Sequence, residues 1–94
     1  MEQHNPEASI VHQRWRAAPD SRLRFRFWDD ECVLYHGAAG DTHRLPAVVG
    51  QLLQALDEAG ASIGDLSAAI DLHEDDVHQA LRELGQLGIV ERLA

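Results

Sequence analysis

The sequence predicts an α+β domain in which a three-stranded antiparallel sheet is followed by three helices. Two observations carry this prediction. Residues 22–28 alternate between apolar and polar side chains, and Cys32, Leu34 and His36 then alternate with Val33 and Tyr35, which is the period of a pleated strand. Gly37 and Gly40 bracket a reversal of the chain. After Pro46 the apolar residues recur at helical spacing instead. The hairpin that ends near Leu45 therefore marks the boundary between a β half and an α half.

The first two strands are predicted from their alternation. In residues 22–28, Leu23, Phe25 and Phe27 share the face expected to meet the core, and the opposite face carries Arg22, Arg24, Arg26 and Trp28. The pair Asp29-Asp30 is a turn signal, so this strand should form a tight hairpin with residues 31–36. A third strand is expected at residues 42–45.

Three helices are predicted after the sheet. Pro46 suits the first turn of a helix that ends before Gly60, and Ser62 with Asp65 resembles a capping pair that begins a short second helix. Residues 74–76, all acidic, favour the start of a third helix that ends at Gly88. The inward positions are Val48, Val49, Leu52, Leu53, Leu56, Ile63, Leu66, Ala69, Ile70, Val77, Ala80, Leu81, Leu84 and Leu87. A short extended segment is expected at residues 89–93.

Residues 1–21 show no sustained period, so they are predicted to be a mobile N-terminal segment anchored by Trp15, with the domain at residues 22–94. They lack the apolar centre of a secretory signal, and no apolar run approaches the length of a membrane span. The single cysteine, Cys32, lies within a predicted strand and is expected to be a buried apolar residue. These features predict a cytoplasmic protein.

Charge is divided unevenly along the chain, which has a net charge of −8 and no lysine. Six arginines and seven acids lie at or before Arg44, whereas two arginines face nine acids after it. The second and third helices, joined by residues 71–73, have the order of a helix-turn-helix. DNA-binding helices present cations and amides, however, and the exposed positions of this third helix are mostly acidic. The charge therefore disfavours DNA as a partner.

Metal binding and catalysis are also disfavoured. His73 and His78 are five residues apart and fall on different faces of a helix, while His36 and His43 flank the hairpin turn without a further ligand nearby. No arrangement of nucleophile and base stands out, and there is no phosphate-binding glycine loop. We therefore predict no metal site and no catalytic residues.

The third strand is the most informative candidate site. In a meander it lies at the edge of the sheet, and an edge strand can accept an extended peptide through its free main-chain groups. The alternative, that the C-terminal tail covers this edge, is left open by the pattern. The row of arginines on the first strand is interpreted as a solvated face or as a second binding surface.

Several motifs resemble the PqqD family of peptide chaperones, which recognise the leaders of ribosomally made, modified peptides. The resemblance covers about residues 15–93. It depends on Trp15, the run from Trp28 to Tyr35, the Gly40-Asp41-Thr42-His43-Arg44-Leu45 entry to the first helix, the stripe of Leu52, Leu53 and Leu56, and the closing run from Leu84 to Val90. Tyr35 followed by Gly40-Asp41-Thr42-His43 is most similar to the branch found beside proteins related to HPr kinase. Pro46 and Gly50 in the first helix depart from the family pattern.

The resemblance implies a winged helix-turn-helix-like fold and a function without a cofactor. A leader peptide would add to the third strand at Thr42, His43, Arg44 and Leu45 and pack beside the third helix at Val77, Ala80, Leu81 and Leu84. The partners would be the precursor peptide and a modifying enzyme, either a radical enzyme or a protein related to HPr kinase, and would include neither nucleic acid nor membrane. The alternatives are a winged-helix DNA-binding regulator and a protein–protein adaptor.

Overall fold

The structure, a computed structural model, describes residues 10–93. This part of the chain contains six strands and three α-helices. Their order is β1 (Arg14–Ala17), β2 (Leu23–Trp28), β3 (Glu31–His36), β4 (Asp41–Pro46), α1 (Ala47–Ala55), β5 (Ala61–Ser62), α2 (Ile63–Ile70), α3 (Glu74–Gln86) and β6 (Val90–Arg92). The strands form two antiparallel sheets, β2-β3-β4 and β5-β1-β6. The α+β class and the order of one three-stranded sheet followed by three helices are as predicted.

The β2-β3-β4 sheet has an apolar face and a polar face. All six residues of β3 lie opposite residues of both neighbours, from Trp28 and Pro46 at Glu31 to Leu23 and Asp41 at His36. Side chains two residues apart in each strand therefore share a face. The inner face, which packs against α1, carries Leu23, Phe25, Phe27, Cys32, Leu34, His36, Asp41, His43 and Leu45. The outer face carries Arg24, Arg26, Trp28, Glu31, Val33, Tyr35, Thr42, Arg44 and Pro46. Phe27 was expected in the core but is 38% exposed, because it lies at the end of an edge strand.

Gly50 brings α1 close to this sheet. A Cβ atom added at Gly50 would lie 2.6 Å from Cys32 Sγ and 2.8 Å from Phe27 Cε1, so only glycine allows this separation. Close packing of α1 against β2 and β3 therefore explains why glycine is present at position 50. Pro46 was predicted in the first turn of α1, but it is the last residue of β4 and the N-cap of the helix. Pro46 has an extended ψ of 146° because it still lies opposite Glu31 in the sheet, so the first helical residue is Ala47.

The second sheet includes a strand that the local pattern did not reveal. β1 pairs with β5 and with β6, and Trp15 is buried. The Arg16 Nε atom donates to Glu91 Oε2 at 2.7 Å, across the β1 and β6 pair. The paired residues are 46 to 77 positions apart in the chain, so a four-residue strand was not visible in the sequence of residues 1–21. Residues 14–17 thus join the domain that was predicted to begin at residue 22, whereas residues 1–9 lie outside the described residues.

In the helical half, α2 and α3 begin where the sequence predicts. Ser62 Oγ accepts a hydrogen bond from the Asp65 amide at 3.1 Å, and α3 begins with Glu74, Asp75 and Asp76. Most predicted inward positions are buried or half-buried, but Ala69 and Leu87 are exposed. Leu87 is 47% exposed because it follows the last residue of α3, where the chain turns at Gly88 with a φ of 78°. Within residues 10–93, no helix has the length and apolar character needed to cross a bilayer.

Candidate functional site

The predicted edge strand lies at an edge of its sheet. β4 is the last strand in the order β2-β3-β4, and it pairs only with β3 among the described residues. The C-terminal tail forms β6 and pairs with β1 in the other sheet. Within residues 10–93, therefore, the tail does not cover β4. Six residues of β4 border an open edge.

The register shows which main-chain groups of β4 point away from the sheet. The Ala47 amide donates to the Asp30 carbonyl at 2.8 Å, one position beyond the pair of Glu31 and Pro46. Because bonded and non-bonded pairs alternate in an antiparallel ladder, His43 and Leu45 bond to β3. The amide and carbonyl groups of Thr42 and Arg44 are directed outward. Pro46 has no amide hydrogen, so the outward donors on this edge are those of Thr42 and Arg44.

The side chains of β4 divide between the two faces of the sheet. Thr42 and Arg44 are exposed on the outer face, where Arg44 Nη2 lies 2.9 Å from Glu31 Oε1. The hydrogen bond and the charge of Glu31 raise the pKa of Arg44, so this guanidinium stays charged. His43 and Leu45 are half-buried on the inner face. An incoming strand at this edge would therefore meet Thr42 and the ion-paired Arg44 on the outer face and the half-buried His43 and Leu45 on the inner face.

The helix residues predicted to face the peptide are mainly core residues. Val77 and Leu81 are fully buried and Leu84 is 3% exposed, while Ala80 is half-buried against the core. The elements that pack closely against α3 are α2 and β6, whereas β4 packs against β3 and α1. The structure thus brings together residues 42–45 as one edge but does not offer Val77, Leu81 and Leu84 as a surface beside it. These positions are buried because a helical stripe that is apolar enough for a groove also suits the core.

The titratable residues near the hairpin do not converge. His36 lies opposite Asp41, and His43 lies opposite Leu34, so the two histidines are not opposite one another. His36 Nδ1 and His43 Nε2 are buried without a hydrogen-bond partner among the described residues. No group of three potential metal ligands is found within residues 10–93. Burial raises the pKa of the Cys32 thiol, which is fully buried and remains protonated at neutral pH.

A second open edge was missed in the sequence analysis. β2 is the other end strand of this sheet and pairs only with β3 among the described residues. On the side of β2 away from β3, an open groove of about 690 Å³ is bounded by the connection from β1, by β2 and by the end of α1; we call it the β2 groove. Its larger apolar lining residues are Leu23, Phe25, Leu53 and Leu56, and its polar lining residues are Asp20, Ser21, Arg22, Gln54 and Glu58. In the sequence, the only indication of a surface at β2 was its row of arginines.

The helix-turn-helix order is present, with α2 and α3 of 8 and 13 residues joined by residues 71–73. The exposed residues of α3 are Asp75, Asp76, Gln79, Arg82, Glu83 and Gln86. Acidic side chains therefore outnumber the cation on the surface that a DNA-reading helix would present.

No family model, curated protein or solved structure matches this chain.

Proposed function

We propose that this protein is a peptide chaperone that binds the leader of a ribosomally made precursor peptide as an added strand along β4 and presents it to a modifying enzyme. The observation that carries the proposal is the open edge of β4, with the outward donors of Thr42 and Arg44. Main-chain hydrogen bonds supply affinity in this mode, and side-chain contacts supply selectivity. The PqqD resemblance of residues 15–93 supports the same edge. The proposal involves no cofactor and no chemical step on the chaperone itself.

The burial of α3 narrows the proposed contact surface. The proposed site consists of residues 42–45 alone, because α3 packs against α2 and β6 and Ala80 is half-buried against the core. Removing Leu81 or Leu84 would damage the core and would not report on binding. Backbone substitutions on β4 are therefore the informative probes.

The test uses a synthetic leader peptide from a short open reading frame encoded beside this gene. In Arg44→Pro, the outward amide is lost while the ladder bonds of His43 and Leu45 to β3 remain, so the sheet should persist. We expect this variant to weaken binding by about 1 to 3 kcal/mol, since one ladder bond is lost and its neighbours are disturbed. Fluorescence polarisation would measure the affinity, and amide shifts at residues 42–45 would locate the peptide.

The matched control is Arg44→Val, which removes the ion pair with Glu31 but keeps the amide donor. Its affinity should stay within a few-fold of wild type, because exposed ion pairs contribute little. The chaperone proposal fails if Arg44→Pro binds as tightly as Arg44→Val in a folded protein, or if the peptide moves no amide on β4.

A further inference from the structure

The free edge of β2 is bordered by two depressions of different character. The β2 groove lies toward α1, and a smaller depression of about 390 Å³ lies on the outer face of the sheet, where it extends from β2 across to β4 and is lined by Arg24, Arg26, Trp28, Val33, Tyr35 and Thr42. Phe25 lines both of them. A chain running along the edge of β2 would therefore have one depression on each side.

The main-chain groups of this edge are available for pairing. The Gly37 amide donates to the Arg22 carbonyl at 3.0 Å, one position before the pair of Leu23 and His36. Alternation along the antiparallel ladder then assigns Arg24 and Arg26 to bonds with β3. The amides and carbonyls of Leu23, Phe25 and Phe27 point away from the sheet. An added strand could therefore form main-chain hydrogen bonds with three residues of β2.

The charge of this edge indicates the kind of strand that fits. Arg24 and Arg26 are exposed on the outer face, and within residues 10–93 neither forms a salt bridge. The Arg26 guanidinium carbon lies 5.8 Å from the centroid of the Trp28 ring, which holds this cation over an exposed aromatic surface. Two copies of the chain paired through β2 would bring their arginine rows together, so self-pairing is opposed by repulsion.

We propose that the β2 edge binds an extended segment of a partner protein that alternates apolar and acidic side chains. Its apolar side chains would enter the β2 groove against Leu23, Phe25, Leu53 and Leu56, and its carboxylates would pair with Arg24 and Arg26. This site lies at the opposite edge of the sheet from β4 and does not depend on the proposed chaperone function. It would allow a leader peptide and a partner protein to bind the same sheet at once.

The experiment titrates the full chain, labelled with ¹⁵N, with a synthetic ten-residue peptide in which valine and glutamate alternate. We expect amide shifts at residues 23–27 and an affinity that falls as salt is added. A second peptide with glutamine at every glutamate position keeps the length and shape, and it should bind at least tenfold more weakly. The double variant Arg24→Gln, Arg26→Gln should lose at least tenfold in affinity for the acidic peptide.

The matched control is Arg82→Gln, Arg92→Gln, which removes the same charge from two exposed arginines outside the β2-β3-β4 sheet, in α3 and β6, and should change the affinity less than twofold. The inference is overturned if no amide shifts, if the shifts fall on residues 42–45, or if Arg24→Gln, Arg26→Gln binds the acidic peptide normally. In the first case the arginine row only protects the edge against pairing. Shifts at residues 42–45 would place the acidic peptide on β4 instead, whereas the other two outcomes leave leader binding at β4 to be tested separately by the Arg44→Pro variant.

Discussion

Gly50 shows how a single residue fixes the distance between α1 and the sheet. Replacing glycine by alanine inside a helix ordinarily adds about 1 kcal/mol of stability. Here the new methyl group would overlap Cys32 Sγ and Phe27 Cε1, at 2.6 and 2.8 Å. Cys32 is fully buried, and overpacking of this kind costs about 1 to 3 kcal/mol. The steric cost should therefore exceed the gain in helix propensity.

We thus expect Gly50→Ala to lower the free energy of unfolding, as measured by urea denaturation. Gln51→Ala, at an exposed position of the same helix, is the control and should change it by less than about 0.5 kcal/mol. A Gly50→Ala variant as stable as wild type, or more stable, would contradict the close approach of α1 to β3.

At the scale of the element, α2 is short and depends on its cap. Ser62 Oγ accepts from the Asp65 amide at 3.1 Å, which satisfies one of the free donors in the first turn of an eight-residue helix. We expect Ser62→Ala to lower the free energy of unfolding by about 1 kcal/mol. Ser62→Thr keeps the acceptor and is the control in the same thermal or chemical melt. Equal losses in the two variants would assign the effect to the pairing of β5 with β1 instead of the cap.

The elements differ in how far the sequence predicts them. β2, β3 and the capped helices were predicted because their signals are local: alternation, the Asp29-Asp30 turn, and Ser62 with Asp65. β1 and β5 were missed because they contain four and two residues and are defined by pairing with each other and with β6. The same reasoning applies to the site. Sequence order identified the edge at residues 42–45, but Val77, Leu81 and Leu84 could not be assigned to groove or core from their spacing alone.

For the whole molecule, two surfaces differ in the sign of their charge. The outer face of the β2-β3-β4 sheet carries Arg24, Arg26 and Arg44, with Glu31 as its acid. The exposed surface of α3 is acidic instead. On the outer face Arg44 is paired with Glu31, whereas Arg24 and Arg26 form no salt bridge within residues 10–93, which is the basis of the acidic partner proposed for β2. The helix-turn-helix surface lacks the cations that would displace counterions from a phosphate backbone.

This distribution predicts that the protein does not bind duplex DNA, which separates the chaperone from a winged-helix regulator. Non-specific DNA affinity comes mainly from cations that neutralise phosphates and release counterions, and it weakens steeply as salt rises. Arg82 is the single exposed cation of α3, beside Asp75, Asp76 and Glu83. We expect no polarisation change when a labelled random duplex is titrated with the protein at about 100 mM salt, a concentration at which exposed charges are already screened beyond about 10 Å.

The variant Asp75→Asn, Asp76→Asn, Glu83→Gln is the control for charge, because it removes three acids from the same surface without altering the core. Micromolar binding by the wild-type protein that weakens with salt would reject the charge argument and favour the regulator. Binding that appears only in the variant would show instead that acidic side chains prevent the helix-turn-helix from contacting DNA.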